Sequence, residues 1–428
     1  MVAAAIMSNA YIGIDLGTSG CRVIAIDEQS NIIASDQQAL FIPTTIPPKS
    51  EQDPDYQWQV VLQILTQVIS QCRDYKVRSI AVDATSGSIL LTDSLGQPLS
   101  PILMYNDARA IEQSKLIANI APKESGAHGS SSGLAKLLYL QQHTVLPADT
   151  QLLHQADWIN FKLGAPLGIS DHNNALKTGY DPVEQCWPQW VDTLTNASLL
   201  PKVLAPGTVI GRLSESLCRS LKLSNIPKIV AGTTDSIAGL LATGAKNIGD
   251  AVTSLGSTLV VKLISDKPLF IPEQGIYSHR LGDKWLVGGA SNTGGAVLKY
   301  YFDKHKLENL SEKITLDATP ADYYPLLSAG ERFPINAPKL QPRLSPRPKS
   351  DVEFLHGMLT GIAKIEQQAY DCLQQAGATP ITSIRTVGGG AVNKTWQSIR
   401  QQYITVPFIT PNYTEAAYGA ALLAKGNI

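Results

Sequence analysis

The sequence predicts an α/β protein of two domains, with mixed sheets flanked by helices. Three observations lead there. A Gly/Ser/Thr hairpin near the start returns at a little over half length, strand-like and helical runs alternate in both halves, and the composition is that of a folded chain. Of 428 residues, 44% are hydrophobic and 17% charged, far from a disordered composition.

The hairpin comes first. Residues 11–14 are apolar and run into Asp15-Leu16-Gly17-Thr18-Ser19-Gly20, and the β-prone run 22–27 follows at once. Two strands around a short turn have this pattern. Residues 251–264 repeat it: an apolar approach, then Ser254-Leu255-Gly256-Ser257-Thr258, then a β-branched strand. Gly17 overlays Gly256, Thr18 overlays Ser257 and Ser19 overlays Thr258, an offset of 239 residues. Such turns also recur by chance, but a hairpin repeated at half length implies two related domains, 1–242 and 243–428.

The remaining elements fit this frame. Residues 58–72 carry Val60, Val61, Ile64, Leu65, Val68 and Ile69 at helical spacing. Residues 79–83 and 229–232 are short strand-like runs that stop at Gly/Ser/Thr turns. Residues 354–373 return to helical spacing at Met358, Leu359, Ile362, Ile365 and Ala369, and Gly377 marks the helix end. The Pro-rich stretch 334–348 reads as an extended surface loop.

Charge and cysteine usage narrow the class. Thirty-five basic residues nearly cancel thirty-six acidic ones, and a net charge of −1 offers little attraction to nucleic acid or an anionic membrane. No apolar run is long enough to span a bilayer, and MVAAAIMSNA lacks the basic start and apolar centre of an export signal. Five cysteines show no CxxC or Cys/His spacing, so a reducing, cytoplasmic setting without structural zinc is expected. His128, His154, His172 and His279 likewise have no ligand spacing.

Four polar turns could carry chemistry. In the two hairpin turns, small residues let backbone N–H groups approach phosphate oxygens, and hydroxyls add donors. Asp15 stands where the second copy has Ser254. Two carboxylates would repel a polyphosphate, whereas one can hold Mg²⁺, directly or through water; the alternative is an Asx-turn that shapes the hairpin. The third turn, Gly232-Thr233-Thr234-Asp235, leads into a helical run, so Asp235 is either a reactive carboxylate or a helix cap. The fourth, Gly388-Gly389-Gly390 with Asn393 and Trp396, lets a flat ligand lie against bare backbone or is a plain turn. It matches neither GxGxxG nor GxxxxGK[ST].

In order along the chain, residues 15–19, Val82-Asp83-Ala84-Thr85-Ser86-Gly87, Tyr105-Asn106-Asp107-Ala108-Arg109, Ala156-Asp157-Trp158, 232–235, 254–258 and 388–390 resemble the motifs of FGGY carbohydrate kinases. The resemblance spans residues 11 to 424 and is closest to the short plant and cyanobacterial branch described as D-ribulose or xylulose-type kinases. It implies two actin-like (ribonuclease H-like) domains, with ATP and a sugar in a central cleft, and a last helix able to pack back on the first domain. Carried over by residue, Asp235 is the catalytic base. Gly17, Thr18, Ser19, Gly256, Ser257 and Thr258 hold phosphates, while Gly389, Gly390, Asn393 and Trp396 hold the adenosine, Trp396 by stacking. Asp15, Ser86, Asp107 and Asp235 line the sugar, with Asp15 also at the Mg²⁺. Where many members place Gln or His beside the sugar, this chain has Ser86, Gly87 and Ser88, and Tyr139 stands where Trp is usual beside Lys136. Lys136, Leu137 and Leu140 read as helix packing.

The expected function is phosphorylation by ATP of the terminal hydroxyl of a small ketose, D-ribulose first, by a monomer or homodimer. The alternatives are a xylulose, other pentulose or polyol kinase, and, from another class, a non-catalytic actin-like nucleotide-binding regulator.

Overall fold

The computed structural model describes residues 7–41 and 44–426. Its first sheet grows from the opening hairpin. Strands β1 (Ser8–Leu16) and β2 (Gly20–Ile26) pair antiparallel, with Asp15 opposite Arg22 at the turn, and β3 (Ile32–Ala39) continues the meander. Helix α1 (Pro54–Gln71) starts where the Asp53 carboxylate accepts from the N–H groups of Asp55 and Tyr56, with proline just inside. Its buried face is Val60, Val61, Ile64, Leu65, Val68 and Ile69, the stripe read from the sequence.

The chain then returns as β4 (Tyr75–Ala84), parallel to β1, which sets Asp15 beside Asp83. Helix α2 (Gly133–His143) intervenes before β5 (Val209–Arg212) and β6 (Lys228–Thr234). The sheet order is β5-β6-β4-β1-β2-β3. β6 runs parallel to β4, and a register shift before Thr233 sets Thr233 against Asp83 and Thr234 against Ala84. Gly232 lies at that shift: a Cβ there would stand 1.7 Å from the Val82 carbonyl oxygen, so no other residue fits. Helix α3 (Asp235–Ala242) follows without a loop. A separate five-stranded sheet, absent from the sequence reading, includes Ile89–Thr92, so residues 85–88 bridge two sheets.

The second sheet repeats this plan. β7 (Asp250–Leu255) and β8 (Leu259–Ser265) form the returning hairpin, and β9 (Tyr277–Leu281) and β10 (Lys284–Ala290) extend it antiparallel. Helix α4 (Asp351–Gln375) buries Met358, Leu359, Ile362, Ile365 and Ala369, and Gly377 follows it at φ 101°. β11 (Ser383–Val387) then joins β7 in parallel; α5 (Lys394–Gln401) leads to β12 (Phe408–Ile409). The order is β9-β10-β8-β7-β11-β12.

A buried ion pair underlies this sheet. The Arg400 guanidinium on α5 donates to both Glu366 oxygens on α4, each at 2.6 Å, and to Thr386 Oγ1 on β11 at 2.8 Å. Thr253 on β7 donates its hydroxyl to the same carboxylate and meets Tyr370 Oη at 2.7 Å.

Compactness divides the chain into one unit that ends at Ala242 and takes in the stretch from Glu415 on, and a second, Thr243–Thr414. The C-terminal helix Ala416–Lys425 therefore belongs with the first sheet. Ala420, Leu423 and Ala424 close over Ala81 and Val230, and the Ser79 hydroxyl donates to the Ala424 carbonyl at 2.6 Å. Gly419 permits the approach: a Cβ would stand 1.8 Å from the Ala238 carbonyl oxygen on α3. The expected arrangement of mixed sheets covered by helices in two domains is the one observed. Among the described residues, no helix is long and apolar enough to cross a membrane.

Candidate active site

In the first unit, β1, β4 and β6 run parallel or in register so that their C-terminal ends carry Asp15, Asp83 and Asp235 to one edge. Asp83 is fully buried, and neither of its carboxyl oxygens receives a hydrogen bond. Burial, then the charges of Asp15 and Asp235, push it well above the usual carboxylate range. Burial also pushes Asp15 up to about 6; the neighbouring Asp83 carboxyl opposes that rise and the charge of Asp235 adds to it. Of these two neighbouring carboxyls, the fully buried Asp83 is the one whose neutral form is favoured, which leaves the charge to Asp15.

Past Asp15 the turn is tight. Gly17 N–H donates to the Gly20 carbonyl at 3.0 Å, and Gln52 Nε2 fixes the Thr18 carbonyl at 2.8 Å. Thr18 is half-exposed and Ser19 exposed, open to a ligand. Asp235 opens α3 half-buried, with its Oδ1 accepting from Ser236 N–H at 2.6 Å. The register places it next to the turn 85–88. Ser86 Oγ is buried there without a hydrogen bond, and so is Thr234 Oγ1. Two lysines back this turn. Lys136 Nζ, fully buried, donates to the carbonyls of Gly87 (2.8 Å) and Met104 (2.6 Å), and Lys177 Nζ donates to that of Ser86 (3.2 Å). Burial pulls the Lys136 ammonium down to about 7.

In the second unit, the hairpin turn and the glycine run meet. Gly390 N–H donates to the Leu255 carbonyl at 3.0 Å, just before Gly256, while Gly256 and Ser257 accept from Gly295 and Ala296 at the start of another helix. Ser257 and Gly389 are exposed, and a Cβ on Gly389 would meet no atom within 4 Å. Asn393 caps α5, accepting from Trp396 N–H at 3.0 Å, and donates to Ser311 Oγ at 2.9 Å.

Two expectations are corrected. Trp396 is 1% exposed and packs in the core with Leu255, Met358 and Ile399, so its ring offers no face to a nucleotide; it forms the floor under Gly390 instead. Asp107 is fully buried, and its oxygens accept from Ser50 N–H (2.7 Å) and from the Arg109 guanidinium, which also pairs with Glu51 at 2.6 Å. It is a structural ion pair, with no oxygen left facing a sugar. Sequence reasoning missed Asp83 as a site residue and Lys177 altogether, and gave Lys136 to packing alone. For Asp83 a signal existed: it is the polar residue that follows the apolar run Ile80-Ala81-Val82 just before a turn.

Among the described residues, no three or more His, Cys, Asp or Glu side chains gather to hold a metal ion. Mg²⁺ bound by one or two carboxylates with water and substrate phosphates does not require such a cluster. The Asp15 carboxylate, with partnerless Asp83 oxygens behind it, fits that mode.

Residues 10–242 match the FGGY family of carbohydrate kinases, N-terminal domain, and residues 251–425 match the C-terminal domain of the same family. A xylulose kinase of Escherichia coli is 25% identical over 97% of this chain and 89% of its own length. A gluconokinase of Bacillus subtilis is 20% identical over 97% and 87%. Among solved structures, one described as a xyloylose kinase from Brucella ovis superposes with a TM-score of 0.87 at 23% identity, covering 98% of this chain and 90% of that one. A Plasmodium falciparum glycerol kinase with ADP gives 0.86 at 18% identity over 98% and 90%. These likenesses confirm the actin-like two-domain fold, and the family sets aside the non-catalytic regulator. With both domain models matched across nearly its whole length, the chain is a sugar kinase that belongs to the FGGY family and uses ATP as co-substrate.

Proposed function

We propose that this kinase transfers the γ-phosphoryl group of ATP to the terminal hydroxyl of a five-carbon ketose, with D-ribulose the first candidate and D-xylulose the second. The register that sets Asp235 beside the Ser86 turn, within charge reach of Asp15, carries this reading. Small Ser86, Gly87 and Ser88 leave room there, and the unpartnered Ser86 hydroxyl suits a sugar oxygen. The xylulose alternative draws support from the name of the Escherichia coli relative.

Phosphoryl transfer asks the protein for positioning and charge compensation rather than covalent chemistry. The Asp235 carboxylate accepts the proton of the substrate hydroxyl as that oxygen bonds to the γ-phosphorus and the bond to ADP breaks. Thr18 and Ser19 in one turn, and Ser257 and Thr258 in the other, supply hydroxyl and N–H donors to phosphate oxygens. Gly389 and Gly390 give the nucleoside an unobstructed backbone. Asp15 would hold Mg²⁺, which when bound neutralises charge on the transferring group.

ADP release measured in a coupled assay with D-ribulose, D-xylulose, ribitol, arabitol and glycerol tests the reading. Release stimulated by a pentulose is expected; a rate that none of the five compounds raises would overturn it. Asp15→Asn is expected to raise the KM for Mg·ATP about tenfold or more, the loss of one charged contact. An unaltered Mg²⁺ requirement in that variant removes Asp15 from the metal.

A further inference from the structure

Lys177 lies on the short turn Leu176–Thr178, which tertiary bonds hold against the end of β6. Asn173 Nδ2, one turn earlier, donates to Thr233 Oγ1 at 3.0 Å, and Thr178 Oγ1 meets His154 Nε2 at 3.0 Å. The half-buried Lys177 side chain runs along Gly87, where an added Cβ would stand 3.0 Å from its Cδ. Its Nζ ends at the Ser86 carbonyl, beside the unpartnered Ser86 hydroxyl. Burial holds the ammonium below the ordinary lysine range, and the charge of Asp235 acts against that. Lys177 Nζ bonds the Ser86 carbonyl and the strand register sets Thr234, the residue before Asp235, against Ala84 at the head of the same turn, so the ammonium and the base border the turn 85–88.

Donor and acceptor inventories then discriminate. Ionised Asp15 and Asp235 accept hydrogen bonds and donate none, so they suit hydroxyls and repel a keto oxygen. A keto oxygen accepts only. Lys136 has spent two donors on the carbonyls of Gly87 and Met104. Lys177 has spent one of three on the Ser86 carbonyl, which leaves two.

We propose that Lys177 is a specificity-determining residue: its ammonium donates to the keto oxygen of an open-chain pentulose whose terminal hydroxyl meets Asp235, so that the site favours ketuloses over the corresponding polyols. The proposal rests on the kinase reading above and adds to it the group that recognises the carbonyl.

The experiment measures kcat/KM for D-ribulose and D-xylulose, and kcat/KM or Ki for ribitol and xylitol, in wild type and Lys177→Met, together with the KM for ATP. Loss of one charged hydrogen bond is expected to lower ketulose kcat/KM about 10- to 100-fold while the polyol values move by less than about threefold. The ketulose-to-polyol ratio collapses, and the KM for ATP stays. Equal losses on ketulose and polyol make Lys177 merely structural and overturn the proposal, as does an unchanged ratio. Lys177→Gln, read by the same ratio, serves if the Met variant does not fold. Wild-type protein that phosphorylates no pentulose overturns the kinase reading and this one together. Pentulose activity with a ratio that survives the substitution overturns this one alone.

Discussion

Asp235→Asn lowers kcat by about 10²–10⁴-fold, the usual contribution of a positioned base in proton transfer. The amide keeps the shape of the side chain and an oxygen for the Ser236 N–H, which donates to Oδ1 in the parent. What it loses is the capacity to take a proton from the attacking hydroxyl. The KM values for sugar and ATP are expected to change little, because the contribution is made as charge develops. The competing role, a helix cap for α3, makes the opposite forecast. A lost cap costs about 0.5–2 kcal/mol of stability and leaves turnover in place. Thermal melting and kcat, measured on Asp235→Asn and Asp235→Ala, separate them: turnover intact in both variants would end the assignment of Asp235 as the base.

The second large effect concerns stability. Arg400→Met leaves the Glu366 carboxylate fully buried with its guanidinium partner gone. Removing one partner of such a pair costs about 3–5 kcal/mol, because the survivor has been desolvated without compensation. The loss falls on four elements at once, since Glu366 on α4, Arg400 on α5, Thr386 on β11 and Thr253 on β7 share the network. Two of those strands lead into the second hairpin turn and the glycine run, so weaker ATP binding is expected alongside the lower urea midpoint. The double variant Glu366→Leu/Arg400→Met should recover much of the loss, as apolar replacements of buried pairs often do. A single variant with an unchanged midpoint would show that Glu366 is neutralised or solvated some other way.

Features fixed by neighbouring residues were legible in the sequence. Both hairpins follow from apolar strands flanking Gly/Ser/Thr turns, and α1 and α4 declare themselves by spacing. Features made by register were not. Asp83 reaches Asp15 across a parallel pair, a crossover that a linear reading cannot align. Lys177 sits on a turn too short to have periodicity, and its place depends on bonds from Asn173 and Thr178 to distant segments. Trp396 was misread for a different reason: an aromatic residue beside glycines looks the same whether it faces a ligand or a core. The spacing Trp396, Ile399, Arg400 is the buried face of α5, and reading it would have turned the ring inward.

The return of the C-terminal helix to the first sheet has a consequence for biosynthesis. The surface of β1, β4 and α3 that it covers is made of residues translated long before it, including Ala81, Val230 and the Gly13 and Ala238 backbones. Until Leu423 and Ala424 leave the ribosome, that apolar surface stays in water and the helix bearing Asp235 lacks its packing partner. The second unit, residues 243–414, is complete before then. The half of the molecule that is made first therefore cannot complete its packing until after the last residue of the second unit has been made.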